Sequence, residues 1–293
     1  GGTASNVITV TIAGSDDAPE ITSAPVFQTI TEQGVVTAPT SIGGTLIYSD
    51  PEETIAEPTL WSVDPLSASY GSVTINANTG IWEYTLNQAT ADELDQGDFE
   101  TDTFTVTIRD DGGLQDTQTL TVQVLGANDA PIAIADNFTT DQNTDFAFGL
   151  FSDNGNGADS DVDADGGAAT VLTIDGSAAN LDVDYILSGG GIVNVNSSGG
   201  GGHFDPNGAY DTLAAGDSVD VTFSYVMEDL LGAASGAAVV TITIDGINDN
   251  ASITGTTAAG IVEDSVTNTA GGNLNHTDVD NDNADDLWQA TSG

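Results

Sequence analysis

Apolar and polar residues alternate along most of the chain with a period of two. Thr103-Phe104-Thr105-Val106-Thr107-Ile108 shows this most cleanly, as expected of a strand with one buried and one wet face. Between Pro19 and Leu125 the pattern predicts seven short strands, near 21–30, 44–49, 58–63, 71–76, 81–86, 103–109 and 117–125. Turn signals punctuate them: Gly43-Gly44, Asp50-Pro51, Asp64-Pro65, Asn78-Thr79-Gly80 and Asp111-Gly112-Gly113. One helical turn is expected over Ala91–Asp95. Seven strands broken this often predict an immunoglobulin-like β-sandwich, with Trp61 as a large core residue and Trp82 in or near the core.

The pattern then repeats. Leu94, Gly97, Phe104, Asp110 and Gly113 recur as Leu213, Gly216, Phe223, Asp229 and Gly232, each offset by 119. Asn128-Asp129 recurs as Asn248-Asp249, offset by 120. A period of this length is a whole domain rather than a solenoid turn. Residues 1–17 are expected to be the last strand of a preceding repeat (Val7 to Ile12) plus its linker. Residues 18–129 and 130–249 are each expected to be a complete sandwich. Residues 250–293 begin a further copy, with exposed strand edges. The fold class is thus all-β, a tandem of immunoglobulin-like sandwiches. The second copy carries Gly189-Gly190-Gly191 and Gly199 to Gly202, expected at flexible hairpin tips.

Charge narrows the function. Against 46 acidic residues stands one basic residue, Arg109, for a formal net charge of -45. Such a chain has no patch to neutralise phosphates, which argues against nucleic acid and anionic membrane surfaces as partners. No apolar run reaches the length of a membrane span, so direct membrane insertion is not expected. Cys is absent, which removes disulfides, thiolate metal sites and cysteine nucleophiles. The start, Gly1-Gly2-Thr3-Ala4, has neither an initiating Met nor a signal-like segment and reads as cut from something larger.

The acids are placed where the predicted topology brings them together. Three linkers recur, at Asp16-Asp17, Asn128-Asp129 and Asn248-Asp249. In a seven-strand sandwich the A–B and E–F loops share one end and the B–C and F–G loops the other. Asn128-Asp129 would then meet Glu32 and Asp95, Asp98 or Glu100, and from the next repeat Asp159, Asp161, Asp163, Asp165 and Glu228-Asp229. Asn248-Asp249 would meet Asp141, Asp211 and Asp217, then Asp278, Asp280 and Asp282. Asp16-Asp17 would meet Asp50, Glu52, Asp110 and Asp111. Two carboxylates at about 4 Å repel by roughly 4 kcal/mol at an effective dielectric near 20, and no Lys is available to relieve them. Ca²⁺ accepts six to eight oxygens in flexible geometry, whereas Mg²⁺ keeps its water, so calcium is the expected ion. Asp161-Val162-Asp163-Ala164-Asp165-Gly166 matches the start of an EF-hand loop, but Leu172 stands where that loop needs Glu, and no helices flank it.

Several stretches resemble a known family. Asn128-Asp129-Ala130-Pro131 and Asn248-Asp249-Asn250-Ala251 are similar to the linkers of bacterial cadherin-like repeats. Leu213 to Asp217 with Val221 to Tyr225, His203 to Gly208, and Thr277-Asp278-Val279-Asp280 resemble VCBS-type repeats. The resemblance implies cadherin-like tandem modules of large RTX-type secreted adhesins, in which calcium rigidifies the junctions. It implies a non-enzymatic extender at the bacterial cell surface that supports adhesion or biofilm formation, with neighbouring repeats as its partners. Two departures stand out: Glu228-Asp229-Leu230-Leu231 lacks the usual Asp-Gly, and Asn250-Ala251-Ser252 lacks the linker proline. The alternatives are a module binding a glycan, peptide or cell-surface ligand through the Gly-rich loops, or an accessory region of a secreted polysaccharide-active enzyme. His203 and His276 show no zinc spacing and read as a hairpin and a strand-surface residue. Tyr70, Trp82 and Tyr84 could make a sugar platform, but Trp82 reads better as core.

Overall fold

The computed structural model describes residues 2–3, 5–51, 60–163, 169–255 and 274–280. The chain divides into two compact units. Residues 1–129 with 162–165 form the first, and 130–161 with 166–293 the second.

In the first unit, alternation is converted directly into burial. Strand β7 (Ile81–Leu86) buries Trp82, Tyr84 and Leu86 and exposes the residues between them. The long β8 (Phe99–Arg109) turns Asp102, Phe104, Val106 and Ile108 inward. The other strands are β1 (Glu20–Ile21), β2 (Val26–Thr31), β3 (Ser41–Thr45), β4 (Tyr48–Ser49), β5 (Leu60–Asp64), β6 (Gly71–Ile75) and β9 (Gln115–Leu125). One sheet runs β2-β9-β8-β5, with β2 parallel to β9 and β8 antiparallel to it along their whole length. The facing sheet is β3-β7-β6, and β1-β4 is a small ribbon. Between the sheets lie Trp61, Trp82, Tyr84 and Phe104, with Tyr84 edge-on to Phe104 at 5.9 Å. This is the immunoglobulin-like sandwich, with Trp61 in its core as expected. The short helix α1 (Gln88–Ala91) begins earlier than the turn expected over 91–95.

The second unit repeats the plan. Its strands are β10 (Asp136–Asp141), β11 (Phe146–Gly149), β12 (Thr170–Ile174), β13 (Tyr185–Ile186), β14 (Ile192–Val195), β15 (Gly201–Asp205), β16 (Ser218–Glu228) and β17 (Ala238–Asp245). The sheets are β10-β17-β16-β12, with β10 parallel to β17, and β11-β15-β14-β13. Strands β18 (Ser252–Gly255) and β19 (Leu274–Thr277) pair with each other, and their side chains are exposed. No helix among the described residues is long and apolar enough to cross a membrane.

Two sequence expectations give way here. Gly43-Gly44 is not a turn but lies inside β3, because the Trp82 indole crosses that strand. A Cβ on Gly44 would sit 3.1 Å from Trp82 Nε1. The predicted strand 44–49 is accordingly split between β3 and β4. Val7–Ile12 is not in a strand, and Val7, Ile8, Val10 and Ile12 are exposed.

The glycines of the second unit are also more than loop tips. In the first unit Gly44 pairs with Trp82; in the second, Phe148 of β11 pairs with Gly202 of β15. The two units place the large aromatic on opposite members of the same strand pair. A Cβ on Gly202 would run into the Phe148 ring, which is held within a group of phenylalanines by Phe138 at 5.2 Å and Phe223 at 6.1 Å. Gly202→Ala is therefore expected to destabilise the second unit by about 2 kcal/mol through overpacking. Urea unfolding would show this as a lowered midpoint for that unit; an unchanged midpoint would refute it.

Candidate cation sites

The acidic residue with the most constrained side chain is Glu32, immediately after β2. Its side chain is fully buried. The Glu32 N–H donates to the Leu125 carbonyl at 3.1 Å, which seats the residue beside the end of β9. Its Oε1 accepts the Ala127 N–H at 2.7 Å. Its Oε2 is buried with no hydrogen-bond partner among the described residues. Carboxylate oxygens of Glu32, Asp92 and Asp129 lie within 4.8 Å of one another. Asp163, which packs in the same unit, accepts the Asp129 N–H through Oδ2. Burial, then Asp129, Asp92 and Asp163, push the Glu32 carboxyl up to about 7 against the lowering effect of the Ala127 bond.

Backbone packing holds this arrangement. Gly126 donates to the Asp98 carbonyl at 3.0 Å, and a Cβ on it would collide with the Leu94 and Asp95 carbonyls. Gly246 faces Leu213 and Ala214 in the same way. The linker glycine is thus required for close approach to the turn that follows α1 or its counterpart. Val35 N–H donates to the Asn128 carbonyl at 2.9 Å, which fixes the linker from its other side.

A second cluster lies wholly within the second unit. The buried Gln142 stands where the first unit has Glu32. Its Oε1 accepts the Ile247 N–H at 3.3 Å, and its Nε2 donates to Asp249 Oδ2 at 3.1 Å and to the Ile247 carbonyl at 3.3 Å. Asp249 N–H donates to Asp280 Oδ2 at 2.9 Å, matching the bond from Asp129 to Asp163. Asp280 is buried, its Oδ1 has no partner among the described residues, and its own N–H donates to Asp278 Oδ1 at 3.2 Å.

A third cluster surrounds Asp16. Its carboxyl is raised by desolvation and by Asp110, Asp111, Asp50 and Asp17. A Cβ on Gly112 would overlap Asp16 Oδ2, so that turn needs glycine to admit the carboxylate. Asp110 Oδ1 accepts the Leu114 N–H at 2.8 Å, and Oδ2 is buried with no partner among the described residues.

The remaining expected ligands fall into other places. Asp141 closes its own turn by accepting from the Asn143 N–H at 2.9 Å and the Thr144 hydroxyl at 3.0 Å. The neighbouring Gln142 takes the inward position instead, because alternation along the strand end turns it to the buried face. Asp229 closes its loop as Asp110 does, accepting the Ala233 N–H at 2.8 Å and the Leu231 N–H at 2.9 Å. Asn128 is buried, Asn248 is exposed, and Asp161 is half-buried in the second unit. Glu52, Asp165 and Asp282 lie outside the described residues.

Asp92, Gln142 and Asp136 were missed. Asp92 had a signal: Asp211, offset by 119, is expected near the linker Asn248-Asp249. Asp136 is a buried acid raised to about 6 by burial and by Asp159. Its Oδ1 accepts from the Asn154 amide at 2.7 Å, and Asp159 accepts the Tyr225 hydroxyl at 2.8 Å.

The donor set at Glu32 suits a hard cation. It is all oxygen and all acceptor, one oxygen is buried without a donor, and Arg109, the chain's one Lys or Arg, is engaged with Gln115. Residues 16–126 match the family model of the bacterial cadherin-like domain. Among solved structures, the chain is similar to protocadherin gamma B7 extracellular cadherin domains 1–4, at 16% identity and TM-score 0.47, over 89% of this chain and 59% of that one. It is similar to mouse cadherin-23 EC22–24 at 11% identity and TM-score 0.45, over 90% and 78% respectively. It is also similar to the human desmocollin-1 ectodomain at 12% identity and TM-score 0.41, over 85% and 44%. The chain thus spans about 59% of the protocadherin structure's length. No curated protein matches it in sequence.

Proposed function

We propose that this chain is a non-enzymatic, extracellular extender segment, and that calcium held by Glu32, Asp92 and Asp129 restrains the linker at Ala127–Asp129. The observation that carries the reading is Glu32 Oε2, buried with no hydrogen-bond partner among the described residues, on a carboxylate grouped with those of Asp92 and Asp129. A bound ion would supply positive charge to these oxygens. Glu32 fixes the linker backbone through the Ala127 N–H, Asp92 contributes from the end of α1, and Asp129 from the linker itself. Asp163 holds the Asp129 backbone in place. Ion binding therefore ties side chains of the sandwich to the segment that leaves it, which suits a tandem adhesin of the bacterial surface whose partners are neighbouring repeats. The absence of Cys fits a module stapled by metal instead of disulfides.

Calorimetric titration of the chain with calcium chloride tests this. Saturable binding is expected at a Kd of roughly 10⁻³ M or tighter, with magnesium weaker. Glu32→Ala should remove the strongest event. A titration with no calcium-specific heat would overturn the proposal.

A further inference from the structure

The two linkers present the same backbone contact to two different side chains. In the first unit the Ala127 N–H meets a carboxylate oxygen of Glu32; in the second the Ile247 N–H meets the amide oxygen of Gln142. The orientation of the Gln142 amide is fixed by the same bonds. Its oxygen must face the Ile247 N–H and its nitrogen the Ile247 carbonyl, since a flip would set donor against donor and acceptor against acceptor. The remaining atom then differs in kind. At Glu32 it is an oxygen lacking a donor among the described residues, on a carboxylate grouped with those of Asp92 and Asp129. At Gln142 it is a nitrogen that donates to Asp249, the counterpart of Asp129.

We propose that Gln142 does at the second linker what a divalent ion does at the first. Its carboxamide nitrogen holds Asp249 in place, so the second linker keeps its structure without calcium and binds calcium more weakly. The inference rests on the calcium reading of the Glu32 cluster and adds an asymmetry to it. The second linker has also lost one ligand charge, and ligand charge count is a main determinant of affinity for hard cations. Among the described residues, the buried acceptor that this cluster leaves without a partner is Asp280 Oδ1. One chain would then carry a linker that responds to calcium and a linker that does not.

Amide hydrogen exchange on the whole chain resolves the two linkers. Four amides report, because each donates to a side chain of its cluster: Ala127 and Asp129 at the first, Ile247 and Asp249 at the second. At calcium ten times above Kd, Ala127 and Asp129 should exchange about tenfold more slowly than in EDTA. Ile247 and Asp249 should change by less than about twofold between the same conditions, as expected where no linkage to the ion exists. Exchanging the two side chains should exchange the behaviour. Glu32→Gln should make Ala127 indifferent to calcium, and Gln142→Glu should make Ile247 and Asp249 exchange fast in EDTA and slowly in calcium. If Ile247 and Asp249 respond to calcium in the native chain as strongly as Ala127 and Asp129, the asymmetry is refuted while calcium binding at Glu32 stands. If Ala127 and Asp129 do not respond, the calcium reading itself falls, and the inference with it. The native chain alone decides between these outcomes, even if a variant fails to fold.

Discussion

In EDTA the first sandwich is expected to lose stability as the pH rises from 5 to 8. Glu32 carries the effect. Its carboxyl is raised from an ordinary 4.5 to about 7 in the folded chain, by burial first and then by Asp129, Asp92 and Asp163. Between these two values the folded state holds a proton that the unfolded state has released. Stability therefore falls as pH increases, is fully present below about 4.5, and is lost as the pH passes through 7. A gap of this size corresponds to about 3 kcal/mol across the window. Calcium should flatten or reverse the slope near neutrality, because the ion takes the place of the proton, and Glu32→Gln should flatten it in EDTA. Trp61 and Trp82 are buried in this core, so urea unfolding followed by tryptophan fluorescence in a Trp288→Phe background reports on this unit. Asp136 gives the second unit a slope of the same sign at lower pH, since burial and Asp159 raise it from 3.8 to about 6. That is why the signal must be specific to one unit. A midpoint in EDTA that is flat or rises over this range would contradict the account of Glu32.

What the sequence made legible was whatever repeats at short range. Alternation located β7 and the inner parts of β8 and β9, because one face is buried there, from Asp102 to Ile108 and from Leu120 to Val124. The offset near 119 exposed the second sandwich because both copies fold by the same pattern. Glu32 and Asp129 could be brought together on paper because loop order in a sandwich fixes which ends meet. Less legible were features set by one distant partner. Gly43-Gly44 has the composition of a turn, and only the Trp82 indole on the neighbouring strand explains why it is a strand. Asp141 and Gln142 are adjacent, and a count of carboxylates selected the acid, whereas the linker takes the amide. Asp110 and Asp229 have the composition of ligands, yet each first closes its own loop through a backbone N–H four residues on.

Asp102→Val is expected to cost the first sandwich about 3–5 kcal/mol, since it breaks a buried hydrogen-bonded network from its charged member. Asp102 points into the core from β8 and accepts from the Tyr84 hydroxyl at 2.8 Å, the Tyr70 N–H at 3.1 Å and the Ser69 N–H at 3.2 Å. Burial and this bond push the Tyr84 phenol upward, so it remains a donor at any ordinary pH. The second unit puts apolar side chains at the two corresponding positions. Tyr84 corresponds to Phe204 and Asp102 to Val221, both fully or nearly fully buried. A hydroxyl and carboxylate in one copy are thus a phenyl ring and a methyl-bearing side chain in the other. Removing one partner strands the other, whereas removing both transplants the apolar arrangement. Tyr84→Phe added to Asp102→Val should therefore recover about 1–2 kcal/mol of the loss, the share due to the orphaned hydroxyl. The Ser69 and Tyr70 amides have no counterpart acceptor in the double variant, so recovery should stop short of the native value. A cycle of urea midpoints for the native chain, both single variants and the double variant measures the coupling. Strict additivity would mean that the Tyr84 to Asp102 bond contributes nothing, and that the two copies differ there by drift rather than by paired replacement.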